Sequence, residues 1–357
     1  MKKLLLSFAA SAAVLVGAAV TAEAADKTKV CFIYVGSRTD GGWTQAHELG
    51  RQELEKALGD KIETPFLENV PEGPDAERAI ERMARSGCSL VFTTSFGFMD
   101  ATLKVAQKFP KVKFEHATGY KTAENVSTYN SRFYEGRFIN GQIAGAISKK
   151  GVGGYIASFP IPEVVAGINA FVTGARTVNP DFKLKVVWAN TWFDPGKEAD
   201  AAKALIDQGV DILTQHTDTT APMQVAAERG IQAFGQASDM IKAGPKTQLS
   251  AIVDTWGPYY IKRTNALLDG TWKSEQSFDG LKDGILTMAP YTNMPDDVKA
   301  KAEATEAKIK SGEIAPFTGP LNKQDGTPWL KAGEKADDGT ILGMNFYVEG
   351  VEDKLPQ

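Results

Sequence analysis

Apolar positions along the first half of the chain fall into two alternating patterns. Short unbroken runs, such as "KVCFIYV" (29–35) and "CSLVFTT" (88–94), read as strands covered on both faces. Between them the apolar residues take helical spacing. Over 43–58, Ala46, Gly50, Leu54 and Ala57/Leu58 share one face, as on a helix packed against a sheet. The series predicts strand 29–35, helix 43–58, strand 61–67, helix 74–86, strand 88–94, helix 99–109 and strand 112–117. Such alternation implies a parallel sheet with right-handed crossovers.

The pattern then repeats at a shift of about 122 residues. "RMARSGCSLVFTTS" becomes "ALIDQGVDILTQHT", with Gly87 over Gly209, and "VCFIYVGSRTDGGW" becomes "VGGYIASFPIPEV". Helix, glycine, strand and polar loop recur in one order, which predicts two copies of one α/β unit. The joint falls near Tyr129–Tyr134, with helix 135–148 opening the second copy and a second crossing near 250–256. This divides the chain into a leader (1–24), a first lobe (25–131 plus about 254–290) and a second lobe (132–250 plus about 291–357). From about Lys310 the chain is rich in Gly and Pro and reads as loop and short hairpin; its apolar end, "MNFYVEGV", is expected to pack on a lobe.

The leader places the protein. "MKKLLLSFAASAAVLVGAAVTAEAA" carries Lys2 and Lys3, an apolar run from Leu4 to Val20 and an Ala22-Glu23-Ala24 ending. That is a secretory signal peptide with cleavage expected after Ala24, and the small flanking residues weigh against a retained anchor. Removing 24 of the 357 residues leaves 333, enough for two lobes that each bury a core. The net charge of −4, with both signs interspersed and no basic stripe, argues against a nucleic-acid surface. Cys31 and Cys88 are too few for a structural zinc site. In an exported chain they leave open a single disulfide or a pair of buried thiols. If the first lobe has strand order 2-1-3, the two cysteines lie on neighbouring parallel strands within disulfide range.

Ligands of open parallel sheets sit outside the carboxyl ends of the strands, so two facing lobes enclose one cleft between their strand-end loops. Those loops hold an unusual number of aromatics: Trp43, Phe96, Phe98, Phe159, Trp192 and Phe193, with Trp256 at the second crossing. Large rings at such positions suit a flat, uncharged ligand, and stacking contributes on the order of 1–3 kcal/mol per ring. The first loop lacks G-x-G-x-x-G spacing, so a phosphate cradle is not indicated. Polar candidates are Asp40, Asp218, Asp239, Asn190 and His216, whose acidic members match ring N–H and amine donors and repel phosphate. Asp40 also fits a helix N-terminal role.

Signals for catalysis are thin. His47, His116 and His216 share no metal-ligand spacing, and neither a G-x-S-x-G elbow nor a Walker motif occurs. No cofactor or metal is expected, and the protein is read as a binder, not an enzyme.

The "VG…D…" opening loop, the "YEGRFINGQIAG" helix, the "VGGY" strand and the "YVEGV" tail together resemble the basic membrane protein (BMP) family. These are extracytoplasmic substrate-binding components of ABC importers with the type I periplasmic-binding fold, most of whose known ligands are purine nucleosides. The resemblance spans essentially the whole chain after the leader. It implies two Rossmann-like lobes with parallel sheets flanked by helices around a central cleft, and it implies permease and ATPase partners. Trp43 matches the family's stacking aromatic, and Ser95-Phe96 its Gly-Phe. Two positions depart from nucleoside binders: "GQASD" places Ala237 where they carry an aspartate, leaving Asp239, and "LSAIV" places Val253 where they carry a lysine. Those residues hold ribose hydroxyls in the family.

The expected function is therefore a periplasmic, monomeric solute-binding protein that delivers a purine base, adenine or a relative, to an ABC importer. A nucleoside receptor of the same family and a sugar-binding protein of the same fold are the alternatives, with an exported nucleoside hydrolase behind them. Trp43, Phe96, Phe159, Trp192, Trp256, Asp218, Asp239, Asp40, Asn190 and His216 form the expected site.

Overall fold

The computed structural model describes residues 26–356, and the leader with its expected cleavage point lies outside them. In chain order the first lobe supplies β1 (Thr28–Ile33), α1 (Trp43–Leu58), β2 (Ile62–Glu63), β3 (Phe66–Leu67), α2 (Pro74–Arg85), β4 (Cys88–Thr93), α3 (Met99–Lys108), β5 (Lys113–Ala117) and β6 (Val126–Ser131). The second lobe follows with α4 (Phe133–Ile147), β7 (Val152–Ala157), α5 (Pro162–Arg176), β8 (Lys183–Trp188), α6 (Pro195–Asp207), β9 (Ile212–Gln215), α7 (Ala221–Arg229), β10 (Gln232–Gly235) and β11 (Gln248–Asp254). Then α8 (Gly257–Leu268) and β12 (Gln276–Asp279) return to the first lobe, and β13 (Leu286–Met288) and α9 (Asp296–Lys310) to the second. The chain ends with a hairpin, β14 (Leu321–Asn322) and β15 (Pro328–Leu330), and the short α10 (Asp338–Leu342).

The internal repeat is visible in the sheets. Their strand orders are β12-β6-β5-β4-β1-β2, with β3 also paired to β1, and β13-β11-β10-β9-β7-β8. Each first strand sits between the second and third of its own copy, the arrangement that right-handed crossovers produce. The copies differ at one edge, where β12 runs parallel to β6 but β13 runs antiparallel to β11.

Two local features depart from the sequence pattern. The strand expected at 61–67 is split into β2 and β3, because Pro65 has no N–H to donate; its carbonyl still accepts from Phe32 N at 3.0 Å. The return to the second sheet is made by Leu286, earlier than the expected 291, because three residues of an edge strand leave no periodic signal. Three segments thus connect the lobes, at 131–133, 254–257 and 279–286.

Cys31 in β1 and Cys88 at the start of β4 are joined as a disulfide with Cα atoms 5.9 Å apart, across parallel neighbours. The second lobe's core centres on α4 and α5, each buried on nearly every face. Gly141 and Gly174 permit this contact: a Cβ on either would collide with the other helix's backbone, at Phe171 O and Phe138 O respectively. The C-terminal segment packs on the same lobe, where Asn169 Oδ1 accepts from Val348 N at 3.0 Å and Leu184 N donates to Gly350 O at 2.9 Å.

Candidate functional site

The first loop is organised by Asp40. Its carboxylate accepts from the backbone N–H groups of Gly42, Thr44 and Gln45 at 2.9–3.0 Å, satisfying donors that a helix start leaves unpaired. Asp40 therefore holds α1 in place, with three of its acceptor sites taken by that loop. Trp43 opens that helix. Its indole N–H donates to Thr94 O at 2.7 Å, and the ring meets His47 (4.4 Å between centroids) and Trp256 (5.6 Å) edge-on. The indole is thereby fixed as one wall of a cavity between the lobes.

That cavity includes about 350 Å³ of unfilled space, part of it open to solvent. The first lobe lines it with Trp43, Phe96, Ser95, Thr118 and Val35. The second supplies Trp192, Asp218, His216, Glu163 and Gln236. Of the sequence-expected residues, Trp43, Phe96, Trp192, Asp218 and His216 thus share one chamber. Phe159 supports it from outside, tilted on Trp192 with centroids 5.0 Å apart.

Besides Asp40, three expected residues lie elsewhere. Trp256 is only 1% exposed and stacks on His47 (4.9 Å, 11°) and edge-on to Tyr129, so it backs Trp43 within the core. Asp239 is exposed, and its Oδ1 accepts from Ile241 N at 3.0 Å and Gln248 Nε2 at 2.6 Å, which uses it to shape the turn after β10. Asn190 is exposed at a turn with φ +50°, a conformation Asn tolerates better than most residues. Neither faces the cavity. Ala237 (φ +58°, buried) and Val253 (in β11, beside Thr287) are also absent from its wall.

Glu163 lies outside the sequence reading, which looks for ligand groups in strand-end loops, because Pro162 and Glu163 already begin α5. Glu163 Oε1 lies 3.2 Å from His216 Nε2, and its Oε2 is buried without a partner. Tyr155 OH lies 3.4 Å from the other His216 nitrogen. Burial pushes the imidazole below its ordinary range, against the raising effect of Glu163, so His216 is neutral at physiological pH. Asp218 is shifted the opposite way. Burial raises its carboxyl well above the usual range, the charges of Asp40 and Glu198 add to this, and the Trp43 backbone N–H opposes it. Beneath the cavity, the buried Arg137 donates to Thr214 Oγ1 (2.9 Å), Gln215 O (2.7 Å) and Gln236 Oε1, fixing the floor. Asp254, at the second crossing, is buried with both carboxyl oxygens unpartnered and its pKa raised, by burial first.

The lobes touch across the cleft. Ser238 Oγ donates to Gly41 O, and Gly42 lies so close to the 218 loop that a Cβ there would stand 2.6 Å from Asp218 O and 2.9 Å from its Cα. Among the described residues no group of three or more His, Cys, Asp or Glu could hold a metal ion. The arrangement is a closed two-lobed container, with aromatic walls and acidic groups, bridged by three connections.

A profile of the PnrA-like ABC transporter substrate-binding protein family (Bmp) matches residues 27–317. The chain belongs to this family. It is 69% identical over 336 residues to a purine-binding protein of Brucella abortus, covering 94% of this chain and 96% of that one. A Haloferax volcanii protein whose name provisionally assigns it to glucose binding by an ABC transporter is 34% identical, over 93% of this chain and 82% of its own. Among solved structures, an ABC transporter solute-binding protein from Aeropyrum pernix superposes with a TM-score of 0.69 at 20% identity, covering 82% of this chain and 94% of that one. At that identity the likeness carries the fold, which is the type I periplasmic-binding architecture. A PnrA-like protein is a transporter's substrate-binding component, not an enzyme, and its family places it outside the cytoplasm.

Proposed function

We propose that the protein binds a purine base, adenine or a close relative, in the periplasm and presents it to an ABC importer as a monomer. The observation that carries this reading is the composition of the inter-lobe chamber, where Trp43 and Phe96 of one lobe oppose Trp192 of the other beside Asp218, Glu163 and His216. Burial favours the neutral form of the Asp218 carboxyl, which when protonated presents one donor and one acceptor. That pair complements the amine and adjacent ring nitrogen of an aminopurine. In this reading Asp218, one of the acidic candidates the sequence offers, takes the recognition role together with Glu163. The Brucella abortus relative, a purine-binding protein by name, supports the same ligand class.

A free base is favoured over a nucleoside because Ala237 and Val253, at the positions that hold ribose in related binders, have no polar side chain and stand off the cavity wall, so they offer its hydroxyls no partner. Buried hydroxyls without partners cost about 1–3 kcal/mol each. Transport follows from closure: ligand shifts the open–closed equilibrium only through contacts made better in the closed form, and both lobes contribute such contacts here. The leader would direct export, with the mature chain beginning at Ala25. Calorimetry with adenine, hypoxanthine, guanine, their nucleosides, glucose and ribose tests the reading. Tight binding of a base with at least tenfold weaker binding of its nucleoside is expected. A nucleoside as tight as its base would make this a nucleoside receptor, and binding of glucose alone would make it a sugar receptor.

A further inference from the structure

A second chamber adjoins the first. It holds about 480 Å³ of unfilled space, part of it open to solvent, and shares Phe96, Thr118 and Glu163 with the inner cavity. Its remaining wall is mostly apolar and includes Phe133, Tyr134, Ala166 and Phe278. Ile341 and Leu342 of α10 complete it, and these belong to a segment beyond residue 317, where the family match ends. The segment is held there: Arg132 donates through two nitrogens to Asp338 at 2.7 Å each, while its guanidinium lies 4.3 Å from the Phe278 ring centre.

Glu163 stands where the chambers join, with Oε1 on His216 and Oε2 buried and unpartnered. An acceptor at that point calls for a donor on the ligand. If the inner chamber holds an aminopurine with one exocyclic N–H on Asp218, as the proposed function has it, the second position of that planar nitrogen turns away from Asp218. On the Glu163 side, a second N–H there donates to Oε2, and a larger group in its place continues past Glu163 into the apolar chamber. We propose that this chamber is a second subsite, built in part by the C-terminal segment, which receives an apolar substituent on the exocyclic nitrogen of an aminopurine. Ribose suits the chamber less well than an apolar group, since most of the wall is ring edges and aliphatic groups; Ser131 Oγ, buried and unpartnered, and the side chains of Asn130 and Thr118 are its polar parts.

Calorimetry on the full mature protein with adenine, N6-benzyladenine and adenosine tests this inference. N6-benzyladenine is expected to bind at least about tenfold more tightly than adenine, because the aryl group leaves water for an apolar wall. Ala166→Leu, which fills the chamber, should cancel that gain and leave adenine within about threefold of wild type. Leu342→Ala, which thins the outer wall without filling space, should reduce the gain and serves if Ala166→Leu fails to fold. Adenine binding with N6-benzyladenine equal or weaker would overturn the subsite while leaving the base reading intact. Adenosine binding more tightly than either would also overturn it, by placing a sugar in the chamber. Absence of binding by all three would sink the reading on which the inference rests.

Discussion

Trp43 and Trp256 are two indoles in edge-on contact with different exposure, and substitution should separate their roles. Trp43 lines the cavity while Trp256 is enclosed among His47, Tyr129 and Trp43. Trp43→Ala is expected to weaken base binding by on the order of 1–3 kcal/mol, tenfold to somewhat beyond a hundredfold, with little loss of melting temperature. Trp256→Ala should instead cost about 3–5 kcal/mol of stability, the scale of a large aromatic deleted from a core. Calorimetry paired with thermal unfolding reads both, and a reversal of the two effects would exchange the roles. The carboxyls divide similarly. Asp239→Ala should leave affinity unchanged, because its bonds stabilise a turn. Asp218→Ala should lose tenfold or more, while Asp218→Asn, which keeps one donor and one acceptor, should retain most of the affinity. Equal losses in the alanine and asparagine variants would show that a charged carboxylate is what the ligand requires.

At the scale of elements, α1 meets the 218 loop through a glycine that leaves no room for a side chain. Gly42→Ala would bring a Cβ against the Asp218 backbone in the closed form but not in a form with the lobes apart. Affinity should therefore fall at least tenfold while the unliganded protein melts as wild type does. Small-angle scattering should show the variant failing to contract with ligand. Normal contraction would show that the loop yields. Pairing of β1 with β4 is reinforced by the Cys31–Cys88 bond, which spans 57 residues of chain. In the chain-entropy account a bridge of that span contributes about 4 kcal/mol. Cys31→Ser/Cys88→Ser, or reduction, should lower the melting temperature, and an unchanged midpoint would mean that the packed strands alone fix the lobe.

Across the whole molecule all three histidines are buried, and burial lowers the pKa of each, His116 to about 3. A histidine whose folded pKa is depressed takes up protons mainly in the unfolded chain. Its contribution is complete above about pH 6.5 and is lost progressively as pH falls toward the folded value. For His116 that window runs from about 6.5 down to about 3, with a slope of up to about 1.4 kcal/mol per pH unit. Buried carboxyls with raised pKa values, such as Asp218 and Asp254, act in the opposite direction, favouring the folded state as they protonate. The histidine effect is therefore read as a difference: denaturant unfolding of wild type and His116→Gln should converge as pH is lowered from 7 to 4. Parallel curves would show that His116 does not carry the linkage.

The sequence by itself determined the two-lobed α/β plan, because burial on both faces of a parallel strand and on one face of a helix writes a periodic code that repeats between the copies. It also located the loop that carries Trp43 and the aromatic character of the cleft, since strand-end loops can be located once strands are. Which acidic groups face the cavity was decided only by the tertiary structure. Asp218, Asp239 and Asp40 all follow strands and look alike in sequence, yet backbone donors nearby claim Asp40 and Asp239 and leave Asp218 at the wall. Glu163 enters the site from the first turn of a helix, and Trp256 leaves it for the core, packed on His47 and Tyr129 of the first lobe. The second chamber belongs wholly to tertiary structure. It exists because an Arg132–Asp338 contact, 206 residues apart in sequence, lays the C-terminal segment beside the cleft. Local periodicity records what a residue does within its own element; the partners brought by folding determine which polar groups remain free to meet a ligand.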